Sequence, residues 1–391
     1  MNIWIKLVKL TEKGHDPHIA SFFVYTFLGD NVKKILLFFI LLCVPFCASA
    51  FTSDAKAVVL MDMDSKRVLY SENPHYAGSV ASISKIMTAI LAIENGKLDK
   101  EVKVGDEVLK AYGSAIYLKA GEKIKLEDLL YGLMLRSGND AALVIATNIA
   151  GSEKNFVKMM NKKAKELGMN DTTFNNPHGL DEQDGGNISS AYDMALLMSY
   201  AMQNENFKKI AGTKYHNVRT NKNTYKWKNK NKLLFNYKYT VGGKTGFTKK
   251  ARRTLVTAAS NNDLNLTVVT IKDGNDFSDH EKLYEEAFNS YKNYLILTSG
   301  KISILGEDYY KNNELYIKND FTYPLTESEK ETVNLKFALE KKRDYKNNDK
   351  VGNIKIHVGD KIVYTENIYV KLDKTKLSFF DKLKNFFTNN S

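Results

Sequence analysis

Cysteine is close to absent from this sequence of 391 residues: the two that occur, Cys43 and Cys47, lie in or beside a single apolar run. With that run cleaved off, the mature chain would hold no thiol, which excludes disulfides, thiol catalysis and cysteine-ligated metals. Proline is scarce, at 5 residues, and no tract is low in complexity, so long disordered stretches are not expected. The 7 histidines are scattered and never form H-E-x-x-H, which argues against a zinc peptidase; no metal and no cofactor is expected. Acidic residues are missing altogether from Asn206 to Asn262. Within that stretch Arg219 to Arg253 holds twelve Lys or Arg, with Tyr225, Trp227, Phe235, Tyr237 and Tyr239 between them, and the whole chain has a formal net charge of +12. Basic segments with interleaved aromatics can bind nucleic acid. An exported protein, however, meets anionic wall polymers and membrane surfaces first, so no nucleic-acid partner is expected.

The apolar run is what predicts export. Ile35 to Phe46 follows Lys33 and Lys34 and is followed, after Cys47, by Ala48-Ser49-Ala50, the pattern of a cleaved secretory leader. It is shorter than the ~20 residues a membrane span needs, and Pro45 interrupts it. Cleavage is expected after Ala50, with residues 31–50 as signal peptide. Leaders sit at the very N-terminus, so residues 1–30 read as a non-native extension, with the true start near Leu28 or Val32.

The remainder, 43% hydrophobic over the whole chain, is ample for a large core and divides by pattern into two domains. Ala57 onward reads as a hairpin around Asp64-Ser65-Lys66-Arg67. Helices are predicted over Ser82–Asn95 with Gly96 as C-cap, over about Leu126–Leu135, after Asn139, over Glu153–Leu167 and over Ala191–Gln203. Strands follow at Arg253–Ala259 and Leu264–Lys272, then a helix at His280–Tyr294. This order predicts an α+β domain over 51–294, helices against an antiparallel sheet. From 295 to 373 the period becomes two: Val333, Leu335, Phe337 and Leu339 share one face, as do Ile354, Ile356 and Val358. A small all-β domain is expected there.

Three short motifs carry the chemistry. Ser82-Ile83-Ser84-Lys85 is S-x-x-K, Ser137-Gly138-Asn139 is S-x-N, and Lys244-Thr245-Gly246 is K-T-G. A serine hydroxyl is a weak nucleophile that needs a neighbouring base. Three residues apart on one helical turn, Ser82 and Lys85 share a face, and burial with a nearby cation such as Lys244 would free the lysine of its proton. Chance matches exist at Ser53-Asp54-Ala55-Lys56, Ser71-Glu72-Asn73 and Ser260-Asn261-Asn262, but none opens an apolar helix or joins two helices. Lys244-Thr245-Gly246 occurs once, just before a predicted strand. His178, in Asn176-Pro177-His178-Gly179, reads as a turn residue rather than a base.

The three motifs together resemble the penicillin-binding and serine β-lactamase superfamily. The longer strings ASISKIMTA, LMLRSGNDAA, FNNPHGLD, SAYDMALL and GGKTGFT are similar to the low-molecular-weight D-alanyl-D-alanine carboxypeptidases, over roughly residues 55–290. The resemblance implies a serine enzyme that removes the terminal D-alanine from peptidoglycan pentapeptides ending in D-Ala-D-Ala and that β-lactams acylate. It implies Ser82 as nucleophile, Lys85 as general base and Ser137 as proton relay to the leaving D-alanine. It further implies that Asn139 bonds the substrate amide, Lys244 and Thr245 of the Lys244-Thr245-Gly246 motif meet the carboxylate, and the N–H groups of Ser82 and Phe247 form the oxyanion hole. Lys230 would stand in for an arginine that relatives use near the terminal carboxylate. Two departures stand out: Ala251-Arg252-Arg253 where relatives have Ala-Gly, and the stretch Asp181 to Asn187.

Two rival readings differ in class. A class A-like β-lactamase would need a deacylating glutamate in E-x-x-L-N, and none occurs between Ser137 and Lys244. A penicillin-sensing or wall-binding module with a spent site is opposed by the intact motifs. Finally, Phe379, Phe380, Leu383, Phe386 and Phe387 fall on one helical arc among lysines, so 374–391 is expected to lie in the membrane surface at the outer face of the cytoplasmic membrane.

Overall fold

The computed structural model describes residues 3–5, 53–181, 185–341 and 344–372. The leader expected over 31–50 and the amphipathic segment over 374–391 lie outside the described residues. The chain divides into two units, Gly14–Ala287 and a second made of Met1–Lys13 with Phe288–Ser391.

In the first unit the predicted hairpin forms as β1 (Ala57–Asp62) and β2 (Val68–Glu72), with the Asp62 carboxylate accepting from the N–H and hydroxyl of Ser65 at the turn. Helices α1 (Lys85–Asn95), α2 (Leu126–Arg136), α3 (Asn139–Ala150), α4 (Glu153–Glu166), α5 (Ala191–Ala201) and α6 (Glu205–Gly212) follow. A second hairpin, β3 (Tyr215–Arg219) with β4 (Thr224–Lys228), and a single turn, α7 (Leu233–Asn236), lead into β5 (Thr240–Thr248), β6 (Arg252–Asn261), β7 (Leu264–Ile271) and α8 (Asp276–Ser290).

The long strands and the first hairpin make one antiparallel sheet of order β5-β6-β7-β1-β2, which leaves β5 as an edge. β1 is buried at every position, as expected of a central strand covered on both faces. Alternation sorts the neighbours: Val256, Ala258, Val269 and Ile271 join the helical core, while Thr257, Val268 and Thr270 turn the other way and meet His280 and Tyr284 of α8. Helix α1, buried from Lys85 through Ala92, is enclosed by that core.

Four local expectations change. The helix predicted from Ser82 begins as a 3-10 turn over Ala81–Ser84, and the α-helix starts at Lys85. Gly96 does close it, but in extended rather than left-handed conformation. Lys244-Thr245-Gly246 lies inside β5, not ahead of a strand; Gly242 and Gly243 just before it mask the strand pattern. The last helix spans Asp276–Ser290 rather than His280–Tyr294, and Tyr294 sits in a strand opposite Tyr323. The division between the two compact units falls after Ala287, inside the last turn of that helix.

The second unit contains β8 (Lys292–Leu297), β9 (Gly300–Ile302), β10 (Glu314–Ile317), β11 (Phe321–Leu325), the single turn α9 (Glu327–Lys330), β12 (Val333–Leu339), β13 (Lys350–Val358) and β14 (Lys361–Lys371). Its main sheet runs β12-β13-β14-β10-β9, and Ile3–Ile5, from the segment set aside in the sequence, pairs along the free edge of β12. Leu335, Ile354 and Ile356 pack with Ile368 and Val370 as the alternation requires. A register shift between Ile356 and His357 sends Val358 instead to a small cluster with Tyr294, Tyr323 and Leu325.

Candidate active site

The geometry begins one residue before Ser82. Ala81 has φ +52, a left-handed conformation that costs an L-residue about 1–2 kcal/mol. Neighbours hold it there. The Thr254 hydroxyl of β6 donates to the Val80 carbonyl at 2.9 Å, and the Ser84 hydroxyl donates to the Ala81 carbonyl at 2.9 Å. Gly179, at φ +82, passes so close that a Cβ would lie 2.1 Å from that same carbonyl oxygen. The clamped turn then winds as a 3-10 helix, in which side chains three apart eclipse one another. Ser82 and Lys85 consequently meet: Lys85 Nζ is 2.9 Å from Ser82 Oγ.

Lys85 is 0% exposed. Besides Ser82, its amine contacts Asn139 Oδ1 at 2.8 Å and the carbonyl oxygen of His178. The Asn139 amide is oriented by its own Nδ2, which donates to the Tyr112 carbonyl at 2.6 Å, so oxygen is what faces the lysine. Desolvation pushes the Lys85 pKa well down, and Lys244 and Lys230 add to this by repulsion. A neutral amine has two N–H groups and one lone pair. Asn139 Oδ1 and the His178 carbonyl can only accept, so in that neutral form they take both N–H groups and leave the lone pair to Ser82, to which the protonated amine instead donates.

Lys244 is also buried; its ammonium donates to the Thr245 carbonyl at 2.7 Å, and burial followed by Lys230 lowers its pKa to about 7. Lys230 lies at the end of the β3–β4 hairpin, with Nζ 3.5 Å from Ser114 Oγ and a pKa lowered by partial desolvation and then by Arg136. Gly246 brings β5 against the nucleophile turn: a Cβ there would lie 2.4 Å from Thr254 Oγ1 and 3.1 Å from the backbone nitrogens of both Ser82 and Ile83. The Phe247 side chain is 62% exposed. Thr245 is half-buried in the same edge strand.

Ser137 is the C-cap of α2 in left-handed conformation, φ +65, which turns the chain so that Asn139 opens α3. It is buried at 4% exposure, and among the described residues its hydroxyl makes no hydrogen bond to Ser82 or Lys85. Both ends of the Asn139 amide are engaged by protein, so a substrate amide would have to share them.

Three residues join the site that the motifs alone do not mark. The buried Asp140 carboxylate accepts from the N–H groups of Ile116 and Leu118 at 3.0 and 3.1 Å, fixing the loop that supplies the Tyr112 carbonyl and Ser114. Its signal was present, an acid in the first turn of a helix. Asp181 accepts from the hydroxyls of Ser79 and Thr248 and so ties the strand carrying Lys244 to the segment before Ser82. His178 takes part through its carbonyl; its ring is buried, with a pKa lowered to about 3 by desolvation and then Lys85. Among the described residues no group of three or more His, Cys, Asp or Glu could hold a metal ion.

The sequence pattern of the D-alanyl-D-alanine carboxypeptidase family matches residues 45–275, and that of the penicillin-binding protein 5 C-terminal domain matches 291–376. The chain is 36% identical over 257 residues to D-alanyl-D-alanine carboxypeptidase DacF of Bacillus subtilis, a match spanning 63% of this chain and 65% of that one. It is 29% identical over 369 residues to DacD of Salmonella typhimurium, spanning 88% and 92%. Among solved structures, penicillin-binding protein 5 of Haemophilus influenzae superposes with a TM-score of 0.70 at 25% identity, over 82% of this chain and 98% of that one.

Proposed function

The chain belongs to the D-alanyl-D-alanine carboxypeptidase family, serine hydrolases that act on D-Ala-D-Ala, and from that footing we propose that Ser82 forms the acyl-enzyme with peptidoglycan stem peptides. The observation that carries the assignment is the buried Lys85 amine 2.9 Å from Ser82 Oγ, with two further acceptors, Asn139 Oδ1 and the His178 carbonyl, to hold its N–H groups once it is neutral. Its lone pair takes the hydroxyl proton as Oγ attacks the penultimate D-alanine carbonyl carbon. The oxyanion forms between the N–H groups of Ser82 and Phe247, and the close passage of Gly246 supports that placement. The C–N bond then breaks, the terminal D-alanine leaves with a proton, and water hydrolyses the ester. Lys244, Thr245 and Lys230 receive the terminal carboxylate. The relay through Ser137 carries over from the family motif.

The test is a soluble peptide ending in D-Ala-D-Ala, scored for free D-alanine, with mass spectrometry of a β-lactam-treated sample. An ester on Ser82 is expected; an adduct on Ser53 or Ser84, or none, overturns the assignment. The ester should persist after excess drug is removed, because no E-x-x-L-N glutamate is available. Recovery within seconds would favour a β-lactamase.

We also propose export through 31–50 and attachment of 374–391 to the outer surface of the cytoplasmic membrane, supported by the leader pattern and the Phe–Leu arc among lysines. Among the described residues no helix is long and apolar enough to cross a membrane. Truncation after Asp373 should leave activity on soluble peptide intact and abolish sedimentation with anionic vesicles.

A further inference from the structure

One face of the β3–β4 hairpin is a row of unpaired cations. Along β4, exposed Lys226 and Lys228 alternate with buried Tyr225 and Trp227, and exposed Lys230 continues the alternation past buried Asn229 to the active site. Residues two apart in an extended chain lie about 6.6 Å apart, which sets the repeat of the charges. On the partner strand, exposed Tyr215, Asn217 and Arg219 stand opposite Lys228, Lys226 and Thr224. The carboxylates that reach this hairpin, Asp128 and Glu122, bond to His216, Thr220 and Tyr225, on or beside its buried side. Among the described residues none of Lys214, Arg219, Lys226 and Lys228 forms an ion pair, and the surrounding Asn206–Asn262 has no acid to offer.

The aromatic residues here support the ammonium groups. Phe235 has Lys228 Nζ at 4.8 Å and Lys214 Nζ at 5.8 Å from its ring centre, while Tyr215 packs edge-on against it at 5.6 Å. A ring attended by two ammonium groups fixes cations in place and is a poor platform for a stacked base. The surface thus offers regularly spaced, pre-positioned positive charge without base-stacking planes. It is a line of charge rather than a plane, which suits a linear chain better than a bilayer.

We propose that this face binds an extended phosphodiester-linked polyol chain, whose phosphates recur at an interval comparable to that of the lysines, and holds the enzyme alongside it with the row ending at the active site. The full-length protein would be titrated against a fluorescent poly(glycerol phosphate) oligomer and followed by anisotropy. Binding should weaken steeply with salt, since each phosphate contact releases a counterion. Arg219→Ser with Lys226→Ser and Lys228→Ser should weaken it at least 10-fold at low salt and flatten the salt dependence. Lys226→Arg with Lys228→Arg should retain it, and both variants should release D-alanine from soluble peptide at the parent rate. The proposal falls if the parent protein does not bind, if the serine variant binds equally well, or if a single-stranded oligodeoxynucleotide of equal charge, or anionic vesicles offered to the protein truncated after Asp373, bind as tightly as the polyol phosphate.

Discussion

Lys85, Asp140, His178, Asp193, Lys244 and His280 are each under 5% exposed in the first unit; in the second, among the described residues, Glu366 is the one charged side chain so deeply buried. The second unit is built almost wholly from two-residue alternation around Ile354, Ile356, Ile368 and Val370. Taking an ionisable group out of water costs free energy whether it stays charged or gives up its proton, and the first unit bears that cost at both Lys85 and Lys244. The contrast shows where chemistry resides: the interior that is expensive to assemble is the one with a reaction to perform.

Four changes would break or sharpen this contrast. The largest effect is expected of Ser82→Ala, which should lower D-alanine release on the order of 10⁴-fold or more and remove the β-lactam adduct from the mass spectrum. Its melting temperature should stay near that of the parent; residual acylation would locate the nucleophile elsewhere.

Next, Ile356→Ala in the second unit should cost about 2–4 kcal/mol in denaturant unfolding of that unit, while kcat/KM on a soluble peptide stays unchanged. A parallel loss of activity would mean the units do not act separately.

Lys244→Met should be more stable than the parent by on the order of 1–3 kcal/mol at pH 7 and below. The sign follows from the lowered pKa of about 7 in the fold against about 10.4 unfolded: between these values the unfolded chain holds a proton that the folded one does not. The parent's stability therefore rises with pH through that window, and the variant's slope should flatten. The same variant should raise KM for carboxylate-ended peptides at least 10-fold, and in the parent kcat/KM should decline above pH 7 as Lys244 loses its charge.

The smallest effect belongs to Arg252→Gly. Arg252 stands at φ +58, a conformation glycine adopts without strain, so relieving it should stabilise by about 0.5–1 kcal/mol in thermal melts, with no change in rate.

How much of this was readable beforehand depended on what each feature demands of side-chain type. The grouping of Ser82, Lys85, Asn139 and Lys244 is legible because the chemistry the motifs imply specifies their side chains. The His178 carbonyl that orients Lys85 is not, because every residue has a carbonyl. Ala81 at φ +52 is invisible too, since alanine gives no hint of a left-handed turn forced on it by Thr254 and Gly179. The hairpin Tyr215–Lys228 could have been found: Lys226 and Lys228 alternating with Tyr225 and Trp227 is a strand pattern, overshadowed by its charge. In the second unit Thr326 and Glu329 form a capping box that announces the turn Glu327–Lys330 in a stretch expected to have no helix.

The missing methyl of Gly246 also narrows the routes by which such an enzyme could acquire antibiotic resistance. Any side chain there would collide with Thr254 Oγ1 and crowd the nitrogens of Ser82 and Ile83. Under the proposed assignment a drug and a stem peptide both acylate Ser82, whose backbone nitrogen Gly246 approaches, so a substitution there that turns one away turns away the other. Phe247 is different, because its side chain is exposed and can change while its backbone N–H stays in place. Variants selected under β-lactam pressure should therefore accumulate at Phe247 and the exposed residues beyond it, and leave Gly246 untouched.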